Sequence, residues 1–313
     1  MASLSPLDSL QVFAVAARHL SFTKAAAELH RTQSAISHRV KALEAEIGLL
    51  LFKRVARRLE LTDAGRALAH QVDRSLSDIA RTISNLDRSE ARRLTVTMLP
   101  SVASRWLMPR LPRFCEQNPD LEVKVIASAT VLDLRAEGID AAIRFGPGHY
   151  AGYAVTPLMP DKVLPVCSPS FADRWGRIST IDALLEWSLL HDSTTEGDGS
   201  RADWRSWLDQ LGRPDAVCNV GQRFSDAGLL IEAAVLGLGA ALARFSLVAD
   251  QFAAGVLVCP LPLATSTAFA YYLVGLPEAV TLPKITRFRQ WLQAEAADTA
   301  RLVLSLSQAI AAG

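Results

Sequence analysis

Ser21–Glu44, SFTKAAAELHRTQSAISHRVKALE, reads as two short helices with a tight break between them. Ala26 and Leu29 on the first piece, and Ile36, Val40 and Leu43 on the second, fall at the spacing of inward-facing helical positions. Ser21 or Thr23 can cap the first helix. Thr32 can cap the second, its side-chain oxygen accepting from an unpaired amide of the first turn, so that helix begins near Gln33. Its outward positions Ser34, Ser37, His38 and Lys41 share one face, flanked by Gln33 and Arg39. Such a face suits the major groove, because Gln can pair twice with adenine, Ser serves either kind of base edge, and Arg or Lys reaches guanine or phosphate. Gln33, Ser34, Ser37 and His38 are therefore expected at bases, Arg39 and Lys41 at the backbone, with Thr32 as the cap. A single solvated amphipathic helix would look the same, so the flanking sequence has to decide.

Working outward, Pro6 to Ala17 forms an expected first helix with Leu7, Leu10, Phe13 and Ala17 at core spacing. Beyond Glu44 the helix runs to about Ile47 and stops at Gly48, the residue best able to adopt a left-handed cap. Lys53 to Leu61 reads as a β-hairpin wing whose Lys53, Arg54, Arg57 and Arg58 can follow phosphates or enter the minor groove. A generic basic surface is the plainer reading of the same cations. Formal net charge over the 313 residues is only +1, yet between Arg31 and Arg58 seven cations face two acids. The positive charge is concentrated at one end. From Asp63 to about Arg88 a long helix carries Leu68, Val72, Ile79, Ile83 and Leu86 along a seam, the pattern of a helix that pairs with a second copy of itself. Glu90-Ala91-Arg92-Arg93 is the expected hinge.

These residues resemble the N-terminal region of LysR-type transcriptional regulators. The family pattern appears as Ser21 to Ala26, Thr32 to Ser37, Leu43-Glu44, Gly48 to Arg54 and Leu61 to Gly65. The pair Ser37-His38 and a wing without glycine are similar to the branch that includes the glycine-cleavage activator and the β-lactamase activator. The resemblance implies an all-α winged helix-turn-helix domain over residues 1–62, a dimerisation linker helix over 63–90, and an effector-binding domain over 91–313. It also implies double-stranded DNA as a partner and homodimers or homotetramers, with RNA polymerase as a further candidate partner.

Past Leu94 the pattern changes to strands alternating with helices, the mark of an α/β domain with a parallel sheet. Expected strands are 94–99, 121–127, 139–145, 162–167, 187–191, 220–224, 240–243 and 269–275. Expected helices are 104–117, 131–137, 200–211, 226–236, one starting near Ser246, and 283–297 opened by proline. This layout looks like the family's effector domain, two α/β lobes built like periplasmic solute-binding proteins, joined by two crossing strands. By that analogy lobe I is about 94–164 and 268–313, and lobe II about 165–267. The tail from Asp298 to Gly313 continues past the resemblance and reads as a final surface helix.

Ligands of open parallel sheets sit off the carboxyl ends of the strands. That rule points to Ser101 after the first strand and to Ser128 and Thr130 after the second, where hydroxyls and amides suit a small carboxylate or another anion. Ser and Thr at such places are also ordinary caps; the resemblance favours effector contact at Ser101 and Ser128. Phe145, Gly146, Thr194, Ser225, Asp226 and Tyr272 complete the expected cleft. Asp226 can equally be an N-cap and Tyr272 ordinary core, and His191 reads as structural.

Other functions find little support. There is no G-x-S-x-G elbow, H-E-x-x-H or G-x-x-x-x-G-K motif, and Gly237-Leu-Gly239 follows a helix pattern rather than a strand. Cys115, Cys167, Cys218 and Cys259 form no C-x-x-C pair, so no metal or cofactor is expected, and they read as thiols in a reducing compartment. No signal segment is expected at the start, because Asp8 and Arg18 interrupt the only apolar candidate. The apolar run Ala233–Ala243 is too short for a membrane span, so a cytoplasmic protein is expected. The rival to a ligand-responsive regulator is a solute-binding protein or enzyme with an incidental basic N-terminus.

Overall fold

The computed structural model describes residues 7–55, 58–86, 92–176, 178–218 and 221–312. The chain divides into two compact units, Met1–Arg88 and Ser89–Gly313. In the first, α1 (Leu7–His19), α2 (Phe22–Glu28) and α3 (Gln33–Ile47) precede a hairpin of β1 (Phe52–Val55) and β2 (Arg58–Leu61), and α4 (Asp63–Leu86) comes next. Phe13, Ile36, Val40, Leu43 and Leu51 are buried together, and the rings of Phe13 and Phe22 meet Phe52 edge-on at 5.7 and 5.3 Å.

Local chemistry explains the boundaries. The Ser21 side chain accepts from the Lys24 amide, Thr32 accepts from the Ala35 amide, and Gly48 ends α3 at φ 75. Glu44 fixes the turn between α3 and β1, its Oε1 accepting from the amides of Leu51 at 2.7 Å and Phe52 at 3.1 Å. Thr62 opens α4, its hydroxyl donating to the Leu50 carbonyl at 2.7 Å while accepting from the Gly65 amide at 3.0 Å. A β-carbon on Gly65 would lie 2.1 Å from the Leu51 carbonyl oxygen, so only glycine lets α4 pass this close.

The second unit is α/β. Its elements are β3 (Arg93–Met98), α5 (Pro100–Val102) running into a π turn (Ala103–Leu107), α6 (Leu111–Gln117), β4 (Glu122–Ala127), β5 (Ala141–Gly146) and β6 (Ala154–Val166). Then come α7 (Pro169–Trp175), α8 (Ile181–Leu185), β7 (Leu189–Asp192), α9 (Trp204–Gln210), β8 (Arg223–Phe224), α10 (Ala227–Val235), β9 (Ala240–Arg244), α11 (Ala249–Ala253), β10 (Thr265–Gly275) and α12 (Pro283–Ala312). The sheet order is β4-β3-β5-β10-β6-β9-β7-β8. Strands β3, β4 and β5 are parallel, as are β7, β8 and β9, while β10 and β6 are antiparallel to each other and to their outer neighbours. The sheet is therefore mixed, with two parallel lobes joined through two long antiparallel strands.

Several expectations need correction. The first helix of lobe I begins at Pro100 rather than Ser104, with proline at its first turn, and it passes through a π turn before α6. Residues 131–137 form turns and no helix; Asp133 accepts from the amides of Arg135 at 2.9 Å and Ala136 at 3.2 Å, and Gly138 at φ 63 closes the segment. Strand β6 starts at Ala154, eight residues before the expected Lys162. Helices α7 and α8 are additions to the expected layout, although Ser168-Pro169 and Thr180 are clear starts, with side chains accepting from the amides of Phe171 and Ala183. The 298–312 tail is not a separate surface helix. It continues α12, with Thr299 and Val303 buried and Thr299 accepting from Trp106 Nε1 at 3.0 Å.

Two cores hold this unit. One surrounds Val96, Trp106, Phe114, Ile143, Tyr271 and Phe288, and the other gathers Phe171, Trp187, Trp204 and Trp207 in lobe II. A pair of Lys284 Nζ and Asp140 Oδ2 at 2.9 Å ties the start of α12 to β3, whose Thr95 amide donates to the same carboxylate oxygen. No described helix is long and apolar enough to cross a membrane.

Candidate functional site

On the first unit, α3 presents Thr32, Gln33, Ser34, His38 and Lys41 exposed, with Ser37 and Arg39 partly covered, while Ile36, Val40 and Leu43 hold the opposite side to the core. The Thr32 hydroxyl serves as the cap and also lies 3.0 Å from the Ser34 hydroxyl. Arg39 is engaged, since its Nη2 lies 2.9 Å from Asp8 Oδ2 on α1. Arg31 approaches the same carboxylate with both terminal nitrogens, at 3.2 and 2.8 Å. That bond from Arg31 holds the Asp8 carboxyl below its usual range, with slight burial opposing and the charges of Arg31 and Arg39 adding. The wing carries Lys53, which faces Glu60 at 3.8 Å. Arg57 and the side chains of Arg54 and Arg58 lie outside the described residues.

Along α4, Leu68 packs against the core of its own chain and Val72 is only 6% exposed. Ile79 is 46% exposed. The side chains of Ile83 and Leu86 lie outside the described residues, as do Glu90 and Ala91 of the expected hinge.

In the second unit a cavity of about 260 Å³ opens at the carboxyl ends of β3, β4 and β5. It brings together Ser128, Thr130, Phe145 and Gly146 with Tyr150, Tyr153 and Phe269, residues not singled out in the sequence. Ser128 and Thr130 also bond to each other, their hydroxyls 3.0 Å apart. Among the described residues that line this space none is acidic, and Arg144 is the one cation. The other expected residues sit elsewhere. Ser101 is 1% exposed, with its hydroxyl 3.4 Å from Arg244 Nη2. Tyr272 packs beneath Gly148 and meets Tyr150 edge-on at 6.3 Å. Thr194 is exposed and bonds to Asp192, Ser225 is exposed, and Asp226 caps α10 by accepting from the amides of Gly228 and Leu229.

The side chain that sequence reading missed is Arg244, at the end of β9. It is 6% exposed and its guanidinium carbon stands 4.5 Å from the centre of the Phe145 ring. Behind it, Asp161 Oδ2 lies 2.6 Å from the Ser246 hydroxyl, which is 3.2 Å from the Tyr271 hydroxyl. Burial pushes the Asp161 carboxyl up, against the bond from Ser246 and the charge of Arg244. Burial also pushes the Cys167 and Cys259 thiols up to about 12, so neither is poised as a thiolate. Among the described residues no group of three or more His, Cys, Asp or Glu is placed to hold a metal ion.

A capped, exposed polar helix on a winged helix-turn-helix unit, joined in one chain to a two-lobed α/β unit with a cavity, defines a ligand-responsive DNA-binding regulator. The family models agree in both parts, the lysR-family bacterial regulatory helix-turn-helix protein matching residues 7–66 and the LysR substrate binding domain residues 87–297. The chain belongs to the LysR family of transcriptional regulators. It is 39% identical to the glycine cleavage system transcriptional activator of Escherichia coli K12 over 295 residues, covering 94% of this chain and 95% of that one. The transcriptional activator AmpR of Providencia stuartii is 34% identical over 93% of this chain and 96% of its own length. Among solved structures, the effector domain of AmpR from Pseudomonas aeruginosa superposes with a TM-score of 0.56 at 29% identity, covering 67% of this chain and 98% of that one. ArgP from Mycobacterium tuberculosis shares the fold at a TM-score of 0.60 and 22% identity, over 94% of this chain and 98% of its own.

Proposed function

We propose that this regulator acts in the cytoplasm as a homodimer or homotetramer on a partly palindromic promoter site, controlling nearby metabolic or resistance genes. Gln33, Ser34, Ser37 and His38 read bases, Lys41 and the wing cations Lys53, Arg54, Arg57 and Arg58 hold phosphates, and Arg39 joins them only by leaving Asp8. An anionic effector enters between the lobes at Ser128, Thr130, Phe145 and Gly146, shifts their relative orientation, and alters the spacing or RNA polymerase contact of the DNA-bound assembly. The observation that carries the DNA reading is the exposed face of α3, where Gln33, Ser34, His38 and Lys41 point away from the core that Ile36, Val40 and Leu43 serve. Binding measured across a set of operator variants and salt concentrations tests it. Gln33→Ala is expected to relax preference at one base position by about 1–3 kcal/mol, whereas Lys41→Ala weakens all sequences alike and flattens the salt dependence. Equal losses at every sequence from both variants would sink the base-reading assignment.

A further inference from the structure

We propose that Asp8 is a specificity-determining residue for DNA: its carboxylate holds Arg31 and Arg39 in place of a phosphate, and yields them to the DNA backbone only where base contacts seat α3. This rests on reading the exposed face of α3 as the DNA interface and adds the residue that withholds charge from it.

The geometry of the cluster comes first. Arg31 meets Asp8 as a fork, Nη1 at 3.2 Å from Oδ2 and Nη2 at 2.8 Å from Oδ1, and Arg39 Nη2 reaches Oδ2 at 2.9 Å. A guanidinium takes phosphate in the same paired manner. Placement matters equally. Arg31 follows the turn through His30, at φ 50, and stands directly before the Thr32 cap, while Arg39 follows His38 within α3. The two cations therefore lie at one end and along one side of the face that presents Gln33, Ser34, His38 and Lys41. Asp8, in the first turn of α1, reaches both.

Charge decides what this does to DNA binding. Two free guanidinium groups would each take a phosphate; tied to one carboxylate, the three groups leave a single net positive charge. Sequence-independent binding is nearly all electrostatic, so withholding cations weakens it most, while the base contacts of an operator are untouched. The hold is also releasable. All three side chains are more than a third exposed, and ion pairs this open are held weakly. Asp8 is nonetheless ionised at neutral pH, because the bond from Arg31 keeps its carboxyl below the usual range. On a non-operator sequence nothing draws α3 inward and the carboxylate keeps its cations. On the operator, base contacts bring phosphates to both forks, and the exchange adds backbone contacts that other sequences do not receive.

The test titrates the full-length chain against two duplexes of equal length over about 50 to 200 mM salt, one carrying the region that its footprint protects and one with that sequence scrambled. Asp8→Asn is expected to bind the scrambled duplex about 5-fold tighter or more, its slope of log affinity on log salt steeper by about 1 to 2 per bound reading head, with the operator slope changed by less than about 0.5. Arg39→Gln leaves Asp8 in place and covers the case in which the asparagine variant fails to fold. It is expected to flatten the operator slope by about 0.9 and to leave the scrambled slope as it was. If Asp8→Asn weakens both complexes, Asp8 aims the two cations rather than withholding them; if its slopes match the wild type, Arg31 and Arg39 reach no phosphate. Either result overturns the proposal and leaves the α3 reading standing wherever Lys41→Ala still flattens both slopes. If Lys41→Ala changes neither slope, or the wild type binds both duplexes alike, the α3 reading fails and this proposal fails with it.

Discussion

Asp8 shows how one side chain on α1 can hold two cations at α3. It lies outside α3, yet its carboxylate takes both Arg31, just before the helix, and Arg39 within it. A carboxyl held below its unfolded pKa contributes stability above that unfolded value, and loses it as pH falls through the folded one. Asp8 is held low by the bond from Arg31, so its contribution is present at neutral pH and fades below about pH 4. Both partners are substantially exposed, which keeps the effect small. Asp8→Asn is accordingly expected to lower the denaturation midpoint of the N-terminal unit at neutral pH, with the difference from wild type closing in acid. An equal difference at neutral pH and at about pH 2–3 would show that the pair contributes no charge-dependent stability. Other residues of the motif have physical duties that their spacing alone does not disclose. Glu44 binds two amides of the turn into β1, and Gly65 lets α4 pass the Leu51 carbonyl.

At the scale of elements, α4 divides into two parts. Leu68 and Val72 are covered within a single chain, whereas Ile79 stands half-exposed. A second copy is therefore expected to meet α4 from Ile79 onward. Ile79→Asp should shift the mass measured by analytical ultracentrifugation toward the monomer while the N-terminal unit stays folded, and Val72→Asp should unfold that unit instead. A dimer undisturbed by Ile79→Asp would place the contact elsewhere. Caps and glycines make the helices of this unit legible, since each signal is local. Strand β6 reads short in the sequence because Pro157 and Pro160 fall inside it, and proline argues against a strand interior. Its first half pairs with β10 alone and the register slips nearby, so that stretch has one side without a strand neighbour. The π turn at Ala103–Leu107 has no comparable sequence signal.

For the whole molecule, alternation of strands and helices is enough to expect an α/β domain, because hydrophobic period is written along the chain, whereas its division into two lobes is implied by the family resemblance. The antiparallel crossing strands and the effector site are less readable. Ser128, Thr130, Phe145 and Gly146 meet at one cavity because all four follow or end β4 and β5, the strands on either side of β3. Ser101 follows the same rule, yet its hydroxyl is drawn under the lobe II face by Arg244, a partner 143 residues away that no local pattern connects to it. Thr194 and Asp226 satisfy their own turns and caps. The central claim is that this two-part chain binds promoter DNA in a manner that a small molecule changes. A footprint of the purified full-length chain on DNA upstream of its own and the adjacent gene tests it most directly. Two protected half-sites about one helical turn or a multiple apart, with a pattern that changes when a small-molecule effector is added, is the predicted result; no protection with or without any ligand would contradict the account.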